Sequence, residues 1–143
     1  MSVPEPAPVY ELPQRRSLAR AALVSLRPRQ WTKNLLLFAG IVFAAKLGDA
    51  TRWLEAVAAF VAYCSASSAA YLVNDVRDAP HDRLHPVKRD RPVASGALTE
   101  RRALGIAAAL GVGALAVTAA LGPWSLLFMA GFLALQAAYT LSL

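Results

Sequence analysis

The sequence predicts an all-α fold, a polytopic transmembrane helical bundle, on three observations. Hydrophobic residues make up 57% of the 143 positions and charged residues only 17%, with a mean hydropathy of +0.42. Apolar runs fill most of the chain from residue 34 onward. A soluble domain of this length could not bury so much apolar surface, whereas lipid accepts it. The charge, a formal net +6, is gathered into clusters between those runs. Basic clusters separated by long apolar stretches point to the anionic membrane surface rather than to nucleic acid.

The first 14 residues are Pro-rich and contain Glu5 and Glu11, with no apolar core close behind a basic start. That pattern excludes a secretory signal, and residues 1–16 are expected to form a disordered cytoplasmic tail. From 17 to 30, Leu18, Ala21, Ala22 and Leu26 recur at helical spacing among Arg16, Arg20 and Arg27, which suits a helix lying in the membrane interface until Pro28 interrupts it. Four spans are expected, at about 31–47, 53–73, 103–121 and 124–143. Trp31 and Trp53 can anchor interfaces, and Lys46 can snorkel. Gly105, Ala109 and Gly113 fall four apart and predict a smooth face for close helix packing. Gly122-Pro123 predicts a tight turn, and the polar stretch 74–102 a loop. The fourth span runs to Leu143 with no cap or basic stop, which predicts an N-terminal portion of a longer protein, or one completed by an oligomeric partner.

All Lys and Arg residues except Lys46 and Arg52 lie before the first span, at its very start (Lys33), or between the second and third. That asymmetry predicts a plasma-membrane, multi-pass protein with its N-terminus and the 74–102 loop in the cytoplasm. Cys64, the single cysteine, lies in an apolar run, which excludes a disulfide framework and a cysteine metal site.

The chemistry-bearing residues cluster where the second span meets the cytoplasm. Asn74-Asp75-Val76-Arg77-Asp78-Ala79-Pro80-His81-Asp82 spaces three carboxylates by three and then four, one helix face if the helix continues. Pro80 disfavours helix at Ala79, so Asp82 could instead begin a fresh turn. Clustered carboxylates repel one another, and a divalent cation removes that cost. Hard oxygen ligands suit Mg²⁺, which keeps waters and takes phosphate oxygens. The bland reading is a solvated acidic patch ending a helix. Lys88-Arg89-Asp90-Arg91-Pro92 follows, and its three cations could grip phosphate oxygens, although a cytoplasmic loop is basic in any case. Before the first span, Arg27-Pro28-Arg29-Gln30-Trp31-Thr32-Lys33-Asn34 could turn Lys33 and Asn34 toward the acids or serve as a basic and aromatic anchor. His81 and His85 are four apart, a weak zinc pair without further Cys or His. The sequence has no Ser–His–Asp arrangement, Gly-rich phosphate loop or nucleic-acid module.

Asn-Asp-x-x-Asp-x-x-x-Asp (Asn74 to Asp82) after an apolar span, then Lys-Arg-x-Arg-Pro-x-x-x-Gly (Lys88 to Gly96), resembles the UbiA superfamily of intramembrane prenyltransferases. Leu26 to Leu36 and Tyr71 to Asp78 look more like its decaprenyl-phosphate phosphoribosyltransferase branch. The resemblance covers nearly everything after the tail. It implies a bundle of about nine transmembrane helices around a cavity open to the cytoplasm and to lipid, with residues 17–143 supplying about four of them. It implies Asp75, Asp78 and Asp82 as catalytic carboxylates that hold Mg²⁺, with Asn74 assisting. Lys88, Arg89 and Arg91 would bind the departing diphosphate, and Lys33 and Asn34 would serve substrate binding. The implied reaction moves 5-phosphoribose from phosphoribosyl diphosphate to a polyprenyl phosphate such as decaprenyl phosphate, releasing diphosphate, in the supply of arabinose for arabinogalactan in the cell wall. The family carries a second acidic motif in its C-terminal half, which these residues do not include, so residues 1–143 alone are expected to be inactive. Tyr139 matches a family tyrosine near the end of the fourth helix. Two other readings stand beside this one: a prenyltransferase that moves a polyprenyl group from its diphosphate to an aromatic acceptor, and a non-catalytic membrane scaffold subunit.

Overall fold

A computed structural model describes residues 17–40 and 45–142, and these are all helix, turn or loop. The expected tail, residues 1–16, lies outside the described residues. Helix α1 spans Leu18–Leu26; Ser17 caps it, its Oγ accepting from the Arg20 N–H at 3.3 Å. It ends at Arg27, whose left-handed backbone (φ 53°, ψ 60°) turns the chain into Pro28. Pro28–Phe38 then forms a 3₁₀ helix with proline at its start. At roughly 2.0 Å per residue this tighter coil descends farther than an α-helix of the same length. The first expected span therefore begins as 3₁₀ structure, and residues 41–44 within it lie outside the described residues.

Asp49 starts α2, Ala50–Asp82, by accepting from the Thr51 and Arg52 N–H groups at 3.0 and 3.2 Å. Thr99 caps α3, Glu100–Leu121, and Glu100 in its first turn complements the helix dipole. Gly122, at φ 135°, makes the bend that α4, Pro123–Ser142, begins from. Among the described residues α2, α3 and α4 are the helices long and apolar enough to cross a membrane. At 33 residues α2 runs roughly 50 Å, about 20 Å more than a hydrocarbon core. Its length exceeds what one crossing needs, which leaves room for the acidic end to lie outside the hydrocarbon core.

Two sequence expectations are revised here. The helix does not stop at Val73 to give a loop over 74–102. It continues through Pro80 to Asp82, and the remainder holds a 3₁₀ turn at Lys88–Asp90 and a helical turn at Pro92–Ser95. Tertiary anchoring outweighs the local penalty of proline: Ala79 is fully buried, and an arginine from the following segment pairs with Asp82. The second revision concerns α3. Gly105, Ala109 and Gly113 are exposed, and nothing lies within 4 Å of a Cβ built on either glycine. The packed face is Ala103, Ala107, Ala114 and Thr118, which meets α2 and α4.

The core is built from small side chains, so helices approach closely. Ala69, Leu72 and Ala79 pack with Ala103 and Ala107 near the acidic end, and Ala62 and Ala66 pack with Ala114 and Met129 farther down. Large apolar residues point outward, among them Leu54, Val112, Trp124, Phe128 and Leu135. The 3₁₀ segment runs antiparallel along α2: Trp31 meets Ser68, Asn34 meets Cys64, and Phe38 meets Phe60. Ser68 fastens this seam, donating to the Leu26 carbonyl at 2.7 Å while accepting from Trp31 Nε1 at 2.9 Å.

Candidate functional site

The acidic end of α2 meets three other segments. Asp75 and Asp82 are seven residues apart, two helical turns, so they share a face, and Asp78 falls about 60° to one side. Asp75 and Asp82 are 3% and 4% exposed, against the rule that a carboxylate stays out unless paired. Both are paired. Arg91 Nη1 lies 3.0 Å from Asp82 Oδ2 and 3.7 Å from Asp75 Oδ1, so one guanidinium serves two carboxylates. Arg27 Nη2 reaches the same Asp75 Oδ1 at 2.6 Å. Asp78 is exposed, and among the described residues its side chain makes no ion pair or hydrogen bond.

The other expected residues separate into two groups. Lys33 donates to the Tyr71 hydroxyl at 2.8 Å, one turn before Asp75, so it joins the cluster. Asn34 sits farther down the seam, donating to Cys64 Sγ at 3.5 Å, and belongs to the packing of the 3₁₀ segment. Asn74 accepts from the Thr140 hydroxyl, which ties the end of α4 to the motif. Lys88 and Arg89 are exposed on the 3₁₀ turn beside the cluster, held there by backbone N–H groups of Val87 and Lys88 donating to His85 Nδ1 at 3.1 and 3.2 Å. That commitment of His85 argues against a His81–His85 zinc pair. The hairpin after α2 is pinned by Arg83, which donates to the Ala94 carbonyl at 3.1 Å and lies 3.6 Å from Glu100.

Arg27 and Tyr71 complete the cluster, and Thr140 holds Asn74 beside it in sequence, although none of the three stands out as a site residue in the sequence. Arg27 stacks on Tyr71, with its guanidinium carbon 4.7 Å from the ring centre. Its signal was present in the segment around Pro28, but an arginine ending an interface helix reads first as a headgroup contact. Thr140 carries no motif signal.

The donor set suits a hard divalent cation. Two buried carboxylates already converge on one positively charged group, and Asp78 stands one turn along the same helix. Among the described residues no three acidic, histidine or cysteine side chains close on a common point. A cation held here would therefore have to take most of its ligands from water and phosphate rather than from an all-protein cage.

An apolar cavity of about 330 Å³ lies between α2, α3 and α4, lined by Ala69, Val73, Ala107, Leu133 and Thr140 among others. Its lining residue Thr140 donates to Asn74, the first residue of the acidic motif.

The UbiA prenyltransferase family model matches residues 35–143. The decaprenyl-phosphate phosphoribosyltransferase of Mycobacterium tuberculosis (strain CDC 1551 / Oshkosh) is 42% identical over 131 residues, 89% of this chain and 43% of that protein. The one from Mycolicibacterium smegmatis is 38% identical over 132 residues, 90% of this chain and 42% of that protein. The nodulation protein NoeC of Azorhizobium caulinodans is 43% identical over 76 residues, 51% of this chain and 24% of that protein. The chain thus spans a little over two fifths of the length of the phosphoribosyltransferases it matches. With its long apolar helices, its acidic helix end and a family match over most of its length, this is a membrane protein that belongs to the UbiA prenyltransferase family.

Proposed function

We propose that the protein transfers 5-phosphoribose from phosphoribosyl diphosphate to decaprenyl phosphate at the cytoplasmic face of the plasma membrane, feeding arabinan synthesis in the cell wall. The observation that carries this reading is the pair of buried carboxylates, Asp75 and Asp82, held on one face of a helix end that extends beyond membrane thickness. Burying two acids beside each other is costly, and a hydrophobic pair would stabilise the fold as well or better. Their presence makes sense where a cation and phosphates must bind. The names of the mycobacterial relatives supply the choice of donor and acceptor.

In this reading Asp75, Asp78 and Asp82 hold Mg²⁺, which when bound neutralises charge on the diphosphate as it departs. Lys88, Arg89 and Arg91 lie on the loop side of the same acids and bind diphosphate oxygens. The lipid phosphate is already an anion at neutral pH and attacks the anomeric carbon without a strong base. A carbon–oxygen bond to the lipid phosphate forms as the bond to diphosphate breaks. Lys33, turned toward the acids by Tyr71, orients one of the phosphates. Asn74 is held by Thr140, a lining residue of the apolar cavity, and that cavity offers room for part of the lipid chain.

The test uses membranes that express the complete reading frame. Radiolabelled phosphoribosyl diphosphate, decaprenyl phosphate and Mg²⁺ should yield labelled lipid, and Asp75→Asn should abolish it. Label-free lipid alongside turnover of a prenyl diphosphate with an aromatic acceptor would replace this reading with a prenyltransferase. No turnover of either would leave a scaffold subunit.

A further inference from the structure

Arg27 belongs to the turn that ends α1, far in sequence from the acids, yet it makes the shortest ion pair with them, 2.6 Å to Asp75 Oδ1. Its placement is specified by several independent features. The backbone adopts φ 53°, a region that non-glycine residues seldom enter, and the Arg27 N–H is satisfied by the Val24 carbonyl at 3.2 Å. Tyr71 lies under the guanidinium. Tyr71 also receives the Lys33 ammonium at its hydroxyl, so two cations from the segment before α2 are gathered on one phenol beside one carboxylate. The Arg27 side chain remains 32% exposed, whereas that of Asp75 is 4% exposed. The arginine therefore has somewhere to go and the carboxylate does not.

A divalent cation on Asp75 and a guanidinium on the same oxygen repel each other, so the two compete for that position. We propose that Arg27 is a displaceable counter-ion: it covers Asp75 while the site is free of divalent cation. When the cation takes the carboxylate, the guanidinium pivots over Tyr71 onto phosphate oxygens of a substrate. The inference rests on the cation reading of the acids given above and adds a substrate-contacting residue to it. A planar fork with five donors is suited to both positions, a carboxylate first and a phosphate afterwards. The phosphate could belong to the soluble diphosphate donor or to the lipid acceptor, which share this chemistry.

The experiment compares wild type, Arg27→Gln and Arg27→Lys, each as the complete reading frame purified in lipid nanodiscs. Mn²⁺, a paramagnetic stand-in for Mg²⁺, is titrated without substrate and followed by electron paramagnetic resonance. Phosphoribosyl diphosphate and a polyprenyl phosphate are then titrated separately at saturating Mg²⁺ by calorimetry. Arg27→Gln should bind Mn²⁺ about fivefold more tightly, because the nearer of the two guanidinium groups on Asp75 Oδ1 is gone and only Arg91, at 3.7 Å, remains, and one phosphate ligand about tenfold more weakly. The ligand that weakens identifies the phosphate Arg27 meets. Arg27→Lys should shift both in the same directions by less, and it carries the test if Arg27→Gln does not fold. Mn²⁺ binding that is unchanged or weaker in the variants, with wild type binding normally, would overturn the exchange and leave the cation site standing. Wild type that binds no Mn²⁺ would overturn both. Unaltered affinity for both phosphate ligands would overturn the second half of the exchange.

Discussion

Replacing Arg91 by glutamine removes the one group that touches both buried carboxylates. Asp82 Oδ2 loses its 3.0 Å ion pair and Asp75 Oδ1 its 3.7 Å contact, while Arg27 still covers Asp75. Breaking a fully buried pair from one side costs about 3–5 kcal/mol, because a bare charge stays inside. Two features reduce that here. The Arg91 side chain is 32% exposed, so water already screens the pair, and Asp75 keeps a second cation. The expected destabilisation is about 2 kcal/mol, most of it from Asp82. Asp82→Asn should cost less on its own, since a neutral amide is cheaper to bury than an unpaired carboxylate. The double variant should then be less destabilised than the two singles combined, with a coupling of about 1 kcal/mol. Denaturant titration in mixed micelles, followed by tryptophan fluorescence, measures all four corners of the cycle. Millimolar Mg²⁺ should restore part of the stability of Arg91→Gln but not of the double variant, because only the former keeps both acids. Additive single effects, or an Arg91→Gln loss below about 0.5 kcal/mol, would refute the claim that one guanidinium holds these two carboxylates in place.

Ser68→Ala leaves the Leu26 carbonyl and the Trp31 indole N–H without their shared hydroxyl. It should cost about 1–3 kcal/mol in the same titration, and Trp31→Phe less, since it removes the donor along with the bond. Pro80→Ala should stabilise α2 by about 1–3 kcal/mol, because the helix already runs through this position at the expense of a backbone hydrogen bond; slower amide exchange around residues 80–83 would report it. Leu84→Cys, on an exposed position of the loop after α2, should react with a membrane-impermeant maleimide only from the cytoplasmic side, and buried Cys64 should stay silent; labelling of intact cells would reverse the proposed orientation. Thr140→Ala should leave folding nearly intact yet weaken Mg²⁺-dependent binding of phosphoribosyl diphosphate severalfold, because Asn74 loses the hydroxyl that orients it.

The apolar runs, the basic clusters and the three aspartates are short-range information, and the sequence alone was enough to read from them a helical membrane bundle with an acidic cluster just past its second span. Hydropathy acts residue by residue, and carboxylates spaced by three and four imply a shared face wherever a helix exists. What it could not determine depends on pairs distant in the chain. Arg27 and Asp75 are 48 residues apart and Thr140 and Asn74 are 66 apart, so neither contact leaves a trace in a local window. The same holds for Pro80, where propensity argued for a break and the burial of Ala79 with the Arg91–Asp82 pair kept the helix going. It holds too for α3, where glycine spacing suggested one packing face and the alanines at 103, 107 and 114 form another. A pattern of small residues describes several faces equally well, and only the tertiary contacts select among them. Close packing and charge pairing are properties of which segments meet, and that is settled by the folded chain as a whole.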